Sequence, residues 1–468
     1  MIAQLAVAVS LAGVPVIRPA RSSSARYVRL SLDVTAYGVP GHGEIVVDRA
    51  TGEFVRRFDA GPVSEREGWD GVHAWRADAT GMARVEGNVD ERGAIIVWSR
   101  MLAPAKDGDP CAACGSRAPD ITVAPSTGLA TVVVRHVSEQ TERTTFADYR
   151  RDGGFVVPHT LTDTSENGTW EAQVRAVETP ATVPVSTFAP PPDPHDATID
   201  GIVTGPLLGP SPIPTLAVSV NGGPPLRFAL DTGGQNVISP DAARQLGMQI
   251  VGSGTVGGAG AGLAKIQYAW ARSVAIGSAQ LRDQPFIVLD LGKSIPFDGI
   301  IGYELLARFA VLLDFAHERF EIAADARALD TAPGIDVPMT FDDRQPQVDG
   351  SLDGIPGAMT IDTGSASALD INAPFVVAHD LRTKYHAVDS GFPIGGVGGQ
   401  VHAYVARAED LHLGAVRFQE VPLLLTDATA GAEANPTVAG NVGDRVLRRY
   451  NLVLDYRRNN VRFEPPVR

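Results

Sequence analysis

The chain of 468 residues is too long for one ordinary hydrophobic core and implies several domains. With 44% hydrophobic and 20% charged residues, 49 Gly, 34 Pro and few aromatics, it reads as a soluble globular protein rich in turns and short strands. A net charge of -14 with no basic run removes the electrostatic reason to expect a nucleic-acid partner.

Residues Ile2 to Val16 form an apolar stretch interrupted only by Gln4 and Ser10, short for a bilayer span and of the right length for a signal-peptide core, although no Lys or Arg precedes it. Residues 1–22 are therefore expected to be a signal peptide, and the protein to be exported, periplasmic or secreted. No later segment has the length and apolarity of a transmembrane helix.

From Val28 onward, Val28, Leu30, Leu32 and Val34 alternate with Arg29, Ser31 and Asp33, the pattern of a half-buried strand. Ile45-Val46-Val47 and Phe54-Val55 flank a turn at Asp48 to Gly52, and Trp75 to Met82 repeats that hairpin pattern around Ala79-Thr80-Gly81. Residues 26–188 are expected to form an antiparallel β domain. Gly68-Trp69-Asp70-Gly71, with the run from Asp148-Tyr149-Arg150-Arg151 to Phe188-Ala189-Pro190-Pro191, resembles the half-barrel domains of periplasmic lipoprotein carriers; a plain accessory sheet is the other reading. The two cysteines, Cys111 and Cys114, form one C-x-x-C, half of what a zinc site needs, so a local disulfide is expected. Pro190, Pro191, Pro192 and Pro194 withhold backbone donors and stiffen the chain, which marks residues 189–211 as a linker.

Beyond the linker one order of elements occurs twice. Phe228-Ala229-Leu230-Asp231-Thr232-Gly233 and Ala358-Met359-Thr360-Ile361-Asp362-Thr363-Gly364 each end a short apolar strand in D-T-G. Val256-Gly257-Gly258 corresponds to Val397-Gly398-Gly399, and Val274-Ala275-Ile276-Gly277 to Leu411-His412-Leu413-Gly414. Ile301-Gly302, Leu306, Arg308-Phe309 and Leu313-Asp314-Phe315 then correspond to Val442-Gly443, Leu447, Arg449-Tyr450 and Leu454-Asp455-Tyr456. Short helices are expected at Pro240 to Leu246, where Ser239 precedes and Gly247 follows, and at Tyr303 to Arg308.

This order of strand, D-T-G, Gly-rich segment, apolar-apolar-Gly, short helix and strand resembles the retropepsin and pepsin clan of aspartic peptidases over residues 212 to 466. The resemblance implies a mainly β fold of two retropepsin-like β-barrel lobes, residues 212–330 and 336–466, preceded by the N-terminal antiparallel β domain. It implies an aspartic endopeptidase with Asp231 and Asp362 as catalytic carboxylates, each loop supported from beneath by Ile301-Gly302 or Val442-Gly443. Thr232 and Thr363 would lock the loops together, Gly233 and Gly364 would let backbone amides reach the carboxylates, and Gly257, Gly258, Gly398 and Gly399 would form the flaps over a peptide or protein substrate. Two adjacent carboxyls cannot both ionise cheaply, so they share a proton and divide the roles of acid and base without metal or cofactor. With both D-T-G units in one polypeptide, a monomer is expected.

Departures from the clan pattern are specific. Gly234 follows the first motif where Ser365 follows the second, leaving Asp362 alone with an adjacent hydroxyl for a further hydrogen bond. Neither flap segment carries the tyrosine of pepsin-type flaps, and Asn441 makes the second support segment more polar than the first. Asp314 and Asp455, symmetric and far from D-T-G, are expected to be structural, and the ten histidines show no ligand spacing. The glycines of 256 to 262 lack the Lys-Ser/Thr of a phosphate loop. The second functional reading is a catalytically degenerate periplasmic protein that binds a peptide, lipid or lipoprotein.

Overall fold

A computed structural model describes residues 16–19, 24–102, 119–209, 211–260, 262–292 and 295–466, apart from the side chains of residues 99–102 and Ile394. The fold is mainly β, with an N-terminal antiparallel sheet and two β-barrel lobes. The chain divides into two compact units, Met1–Asp193 and Pro194–Arg468. The apolar stretch up to Pro15 and the Cys111/Cys114 pair lie outside the described residues. No described helix is long and apolar enough to cross a membrane.

The first unit is one antiparallel sheet made of two meanders. Strands Tyr27–Ala36, Val39–Asp48, Phe54–Asp59, Glu65–Trp69, Ala74–Ala77 and Ala83–Val85 follow one another, and Asp120–Val123 through Gly168–Glu178 form the second run. The runs join where Tyr27–Ala36 pairs with Gly168–Glu178. Part of the segment read as a leader belongs to this sheet: Val16 and Ile17 are buried, and Arg18–Pro19 pair with Phe155 and Val156.

A helix at Val89–Leu102 interrupts the sheet reading of this region. Its start is built from Asn88, whose side-chain oxygen accepts from the Asp90 and Glu91 amides, with both acids in the first turn. The apolar run Ala94 to Trp98 that follows has no alternation, and such a run reads equally as a buried strand or a buried helix. The helix packs on strands from both meanders. Under it lies a charged layer: Arg56 pairs with Glu67 at 2.9 Å, Arg135 with Asp163 at 2.9 Å, and both guanidinium groups stand about one ring away from Trp98, at 5.3 and 5.5 Å. Charges this buried need partners, and they have them.

The second unit carries the duplication. In each lobe the strand leading to D-T-G, Leu226–Leu230 or Ile355–Ile361, runs parallel to the short strand Gly299–Ile301 or Gly440–Val442. Where they pair, Phe228, Ala229, Leu230, Met359 and Ile361 are apolar and buried, as parallel pairs require. Helices follow at Pro240–Gln245 and Tyr303–Leu306 in the first lobe, the former capped by Ser239 Oγ accepting from the Ala242 amide and closed by Gly247 at φ +63°.

A third sheet joins the lobes, in the order Val203–Pro206, Arg319–Ala323, Ala310–Asp314, Asn451–Asp455, Asn460–Glu464 and Ile335–Pro338. Its centre pairs Val311 with Leu454, Leu312 with Val453 and Leu313 with Leu452, all buried. Asp314, expected to be structural, accepts from Arg319 Nε at 2.8 Å and across the lobes from Asn451 Nδ2 at 3.0 Å. Asp455 binds Arg458, which also reaches Asp325.

The segment read as linker contributes strands here. Ala197–Thr198 pairs with Leu281 and Gln280, Val203–Pro206 pairs with Arg319–Ile322, and Asp196 receives the buried Arg308 guanidinium at 2.6 and 2.8 Å. These are edge strands of two to four residues beside four prolines, too short to show periodicity. A fragment of residues 194–468 should therefore unfold in one cooperative transition. One beginning at Pro210 loses the Asp196–Arg308 pair and should be less stable by about 3–5 kcal/mol, the penalty for removing one partner of a buried ion pair. Urea denaturation of the two fragments checks this.

Candidate active site

Asp231 and Asp362 stand at the ends of equivalent strands, each held by the neighbouring support segment. The Asp231 amide donates to Ile301 O and the Asp362 amide to Val442 O, both at 3.0 Å. The loops then fold tightly over those segments: a Cβ on Gly302 would lie 2.2 Å from Gly234 O, so no side chain fits there. Across the pair, a Cβ on Gly364 would stand 2.3 Å from Asp231 Cγ, which leaves glycine as the residue that lets the two loops meet.

Thr232 and Thr363 make a reciprocal lock. Thr232 Oγ1 donates to Ile361 O at 2.6 Å and accepts from the Thr363 amide at 2.9 Å; Thr363 Oγ1 donates to Leu230 O at 2.7 Å and accepts from the Thr232 amide at 3.1 Å. Both side chains are fully buried, so each of the four groups depends on its partner in the other lobe. Tyr456 adds a hydrogen bond from its hydroxyl to Thr232 O at 3.2 Å, and stacks obliquely with Phe341 and Tyr303 at 5.0 and 6.1 Å. Phe315 occupies the matching position of the first lobe and has no hydroxyl, so this tie is one-sided.

The carboxyl groups are hydrogen-bonded to each other, and the Gly233 and Gly364 amides donate to Asp231 Oδ1 and Asp362 Oδ1 at 2.8 Å. Burial raises both pKa values, and the neighbouring Asp362 charge pushes Asp231 well above the usual carboxylate range. For Asp362 the rise from burial is opposed first by the Asn441 amide, which donates to Oδ2 at 2.7 Å, and then by the Gly364 amide. The Asn441 amide thus favours the charge on Asp362 and the shared proton on Asp231. The source of this asymmetry differs from the sequence expectation. Ser365 Oγ turns away to Ser367 Oγ at 2.8 Å, and the extra hydrogen bond comes from Asn441, whose counterpart is Ile300.

The Gly-rich segments meet each other. Ile250–Val256 and Ala264–Ile276 form one hairpin, Ile394–Gly396 and Gly399–Val401 another. Between their tips the Gly260 amide donates to Val397 O at 3.0 Å and the Gly262 amide to Gly398 O at 2.8 Å, while Ala432 donates to Gly258 O at 2.9 Å. Of the four flap glycines expected, Gly258 and Gly398 take part in this crossing; Gly257 and Gly399 lie beside it. Gly260 and Gly262 were not singled out, although a Cβ on Gly260 would lie 2.3 Å from Gly398 C. From the tips an apolar cluster, with Val256, Ala264, Val397, Ile266 and Val237 in it, continues to Ile300 beside the Asp231 loop.

One further acid escaped the sequence reading. Asp444 follows Val442-Gly443, is fully buried, and among the described residues neither of its carboxyl oxygens has a hydrogen-bond partner. Burial, then the charge of Asp362, raises its pKa to about 9. Its counterpart is Tyr303, so the repeat itself held no signal for it.

Residues 216–305 match the family described as aspartyl protease, a stretch that contains Asp231, the first Gly-rich hairpin and Ile301-Gly302. No curated protein matches the chain. The match supports an aspartyl-protease-like function, and hence a hydrolase, in general terms.

Two predictions follow from this geometry. Thr232→Val removes one donor and one acceptor that the other lobe depends on, and should lower stability by about 2–4 kcal/mol in urea, with Thr232→Ser restoring most of it. The second concerns pH. Burial first raises Asp370 to about 7, Glu433 to about 8 and Asp444 to about 9. These groups contribute most below their unfolded values near about 4 and lose that contribution as pH rises through their folded values. Asp314 and Asp336 have lowered values, so their contribution holds above about 4 and is lost in stronger acid. Thermal unfolding should therefore show falling stability from about pH 5 to pH 9, and Asp444→Asn should flatten that fall.

Proposed function

We propose that the protein is an aspartic endopeptidase in which Asp231 and Asp362 act as one unit on a bound water. The observation that carries this reading is the pair of D-T-G carboxyls, hydrogen-bonded to each other and unequally surrounded, with the Asn441 amide donating to Asp362 alone. Asp362, kept ionised by Asn441 and Gly364, takes a proton from the water as its oxygen attacks the peptide carbonyl. Asp231 donates its hydrogen bond to the carbonyl oxygen as that oxygen becomes an oxyanion. The proton that Asp362 took from the water then passes to the leaving nitrogen; the C–N bond breaks as the carbonyl re-forms, Asp231 keeps its proton and Asp362 is again ionised. An extended substrate would lie between the lobes and pair with the backbone of the Gly-rich hairpins, as an added strand.

Both halves of the dyad belong to one polypeptide, so the active species in this reading is the monomer. Purified protein should hydrolyse members of an unbiased peptide mixture between acidic and neutral pH, with a bell-shaped profile and inhibition by a pepstatin-type transition-state analogue. Activity that climbs steadily into alkali would overturn the mechanism. Asp231→Asn and Asp362→Asn should each lower turnover by about a thousandfold or more, and the double variant should be little worse than either. Specific activity should not change on dilution, and mixing the two single variants should restore nothing; recovery on mixing would show that sites form between chains.

A further inference from the structure

The two lobes are equivalent in backbone register, which lets their side chains be compared position by position. Val237 pairs with Ile300 on one side and Ile287 on the other; Asp370 pairs with Asn441 and Leu424 in the same way. Val237 therefore corresponds to Asp370, and Ile300 to Asn441. In the first lobe these positions belong to the apolar cluster that runs from the Gly-rich tips to the Asp231 loop. In the second lobe the same wall is polar.

That polar wall holds two carboxyls without a cation. Asp370 is 4% exposed; its Oδ2 accepts from Ser367 Oγ at 2.7 Å and its Oδ1 has no partner among the described residues. Glu433, 5% exposed, acts electrostatically on Asp370, has Thr426 as its side-chain partner, and leaves Oε2 without one. Among the described residues no basic side chain acts on either carboxyl. Glu433 belongs to the turn Ala432–Ala434, whose first amide binds Gly258 of the opposite hairpin, so the pair lies where the two lobes close on each other. Asp370 is also within electrostatic reach of Asp362. Buried carboxyls with empty lone pairs are unfavourable unless a partner arrives, and a cation is the partner that would satisfy both.

We propose that the cleft is specific in two different senses: the wall of Val237, Leu289 and Ile300 receives an apolar side chain of the substrate, and the wall of Asp370 and Glu433 receives a lysine or arginine. The inference rests on the peptidase reading for its substrate class, a peptide with a basic residue on one side of the scissile bond and an apolar one on the other. Burial places both carboxyls near neutrality, Asp370 at about 7 and Glu433 at about 8, with Asp362 adding to the first and Asp370 to the second. A bound cation lowers both values, so selectivity for it strengthens as pH rises through that range.

The test uses the full chain and a set of hydroxyethylene peptides that cannot be cleaved, identical except for lysine or norleucine on either side of the isostere. Calorimetry at about pH 7.5 should show one lysine placement binding about tenfold or more tighter than its norleucine counterpart. The advantage should shrink at about pH 5, where both carboxyls are protonated. Asp370→Asn and Glu433→Gln should each remove most of it, and Asp370→Val, which imports the residue of the first lobe, should reverse it; thermal unfolding reports whether each variant is folded. Norleucine favoured at both places, a lysine preference unchanged in folded Asp370→Asn and Glu433→Gln, or no binding by any peptide overturns the proposal. Cleavage of the matching amide peptides separates the two readings. Lysine-selective binding without turnover removes the peptidase reading alone, and turnover with apolar residues on both sides removes the basic subsite alone.

Discussion

Four buried hydrogen bonds between Thr232 and Thr363 and their opposite strands fix the relation of the two lobes at the site. Each threonine hydroxyl serves as donor and acceptor at once, and each backbone group it meets has no water to fall back on. A loss on either side therefore strands groups on both, which is why the contact is far stiffer than four separate surface hydrogen bonds. The two carboxyls hang directly from this frame, one residue before each threonine. Their separation is set by backbone geometry, with little left to side-chain rotation.

Within a symmetric frame the chemistry is asymmetric. The main-chain donors are the same on both sides, but Asn441 faces Asp362 where Ile300 faces the Asp231 loop. One amide replaces one apolar branch and biases which carboxyl holds the proton. Tyr456 against Phe315, and Asp444 against Tyr303, continue the same departure below the site. The two lobes share one frame and differ at a few matched positions.

The paired D-T-G loops were the most legible part of the sequence. D-T-G twice, each after an apolar strand and before an apolar-apolar-Gly segment, carries its own spacing, and the Ser239, Pro240 and Gly247 punctuation marks a helix within a residue. What escaped depends on distant contacts. The helix at Val89–Leu102 hid behind a continuous apolar run, and the strands at Ala197–Thr198 and Val203–Pro206 are too short to show a period. Ser365 was assigned a hydrogen bond because it adjoins the motif, yet its hydroxyl turns to Ser367 two residues along and the bond is made by Asn441, seventy-odd positions away in sequence but adjacent in the sheet. Which glycines of the flexible segments touch was equally unreadable, since that is set by where the opposite tip lies.

The sheet shared by the lobes has a kinetic meaning. Ala310–Asp314 and Asn451–Asp455 are paired at its centre, so the two Gly-rich tips are tethered to one rigid base. When the contacts of Gly260 with Val397 and Gly262 with Gly398 break, the partners remain at a high effective concentration fixed by the tether. Reclosure is then a unimolecular event with the same rate in dilute and crowded solution, whereas separate subunits would have to find each other again.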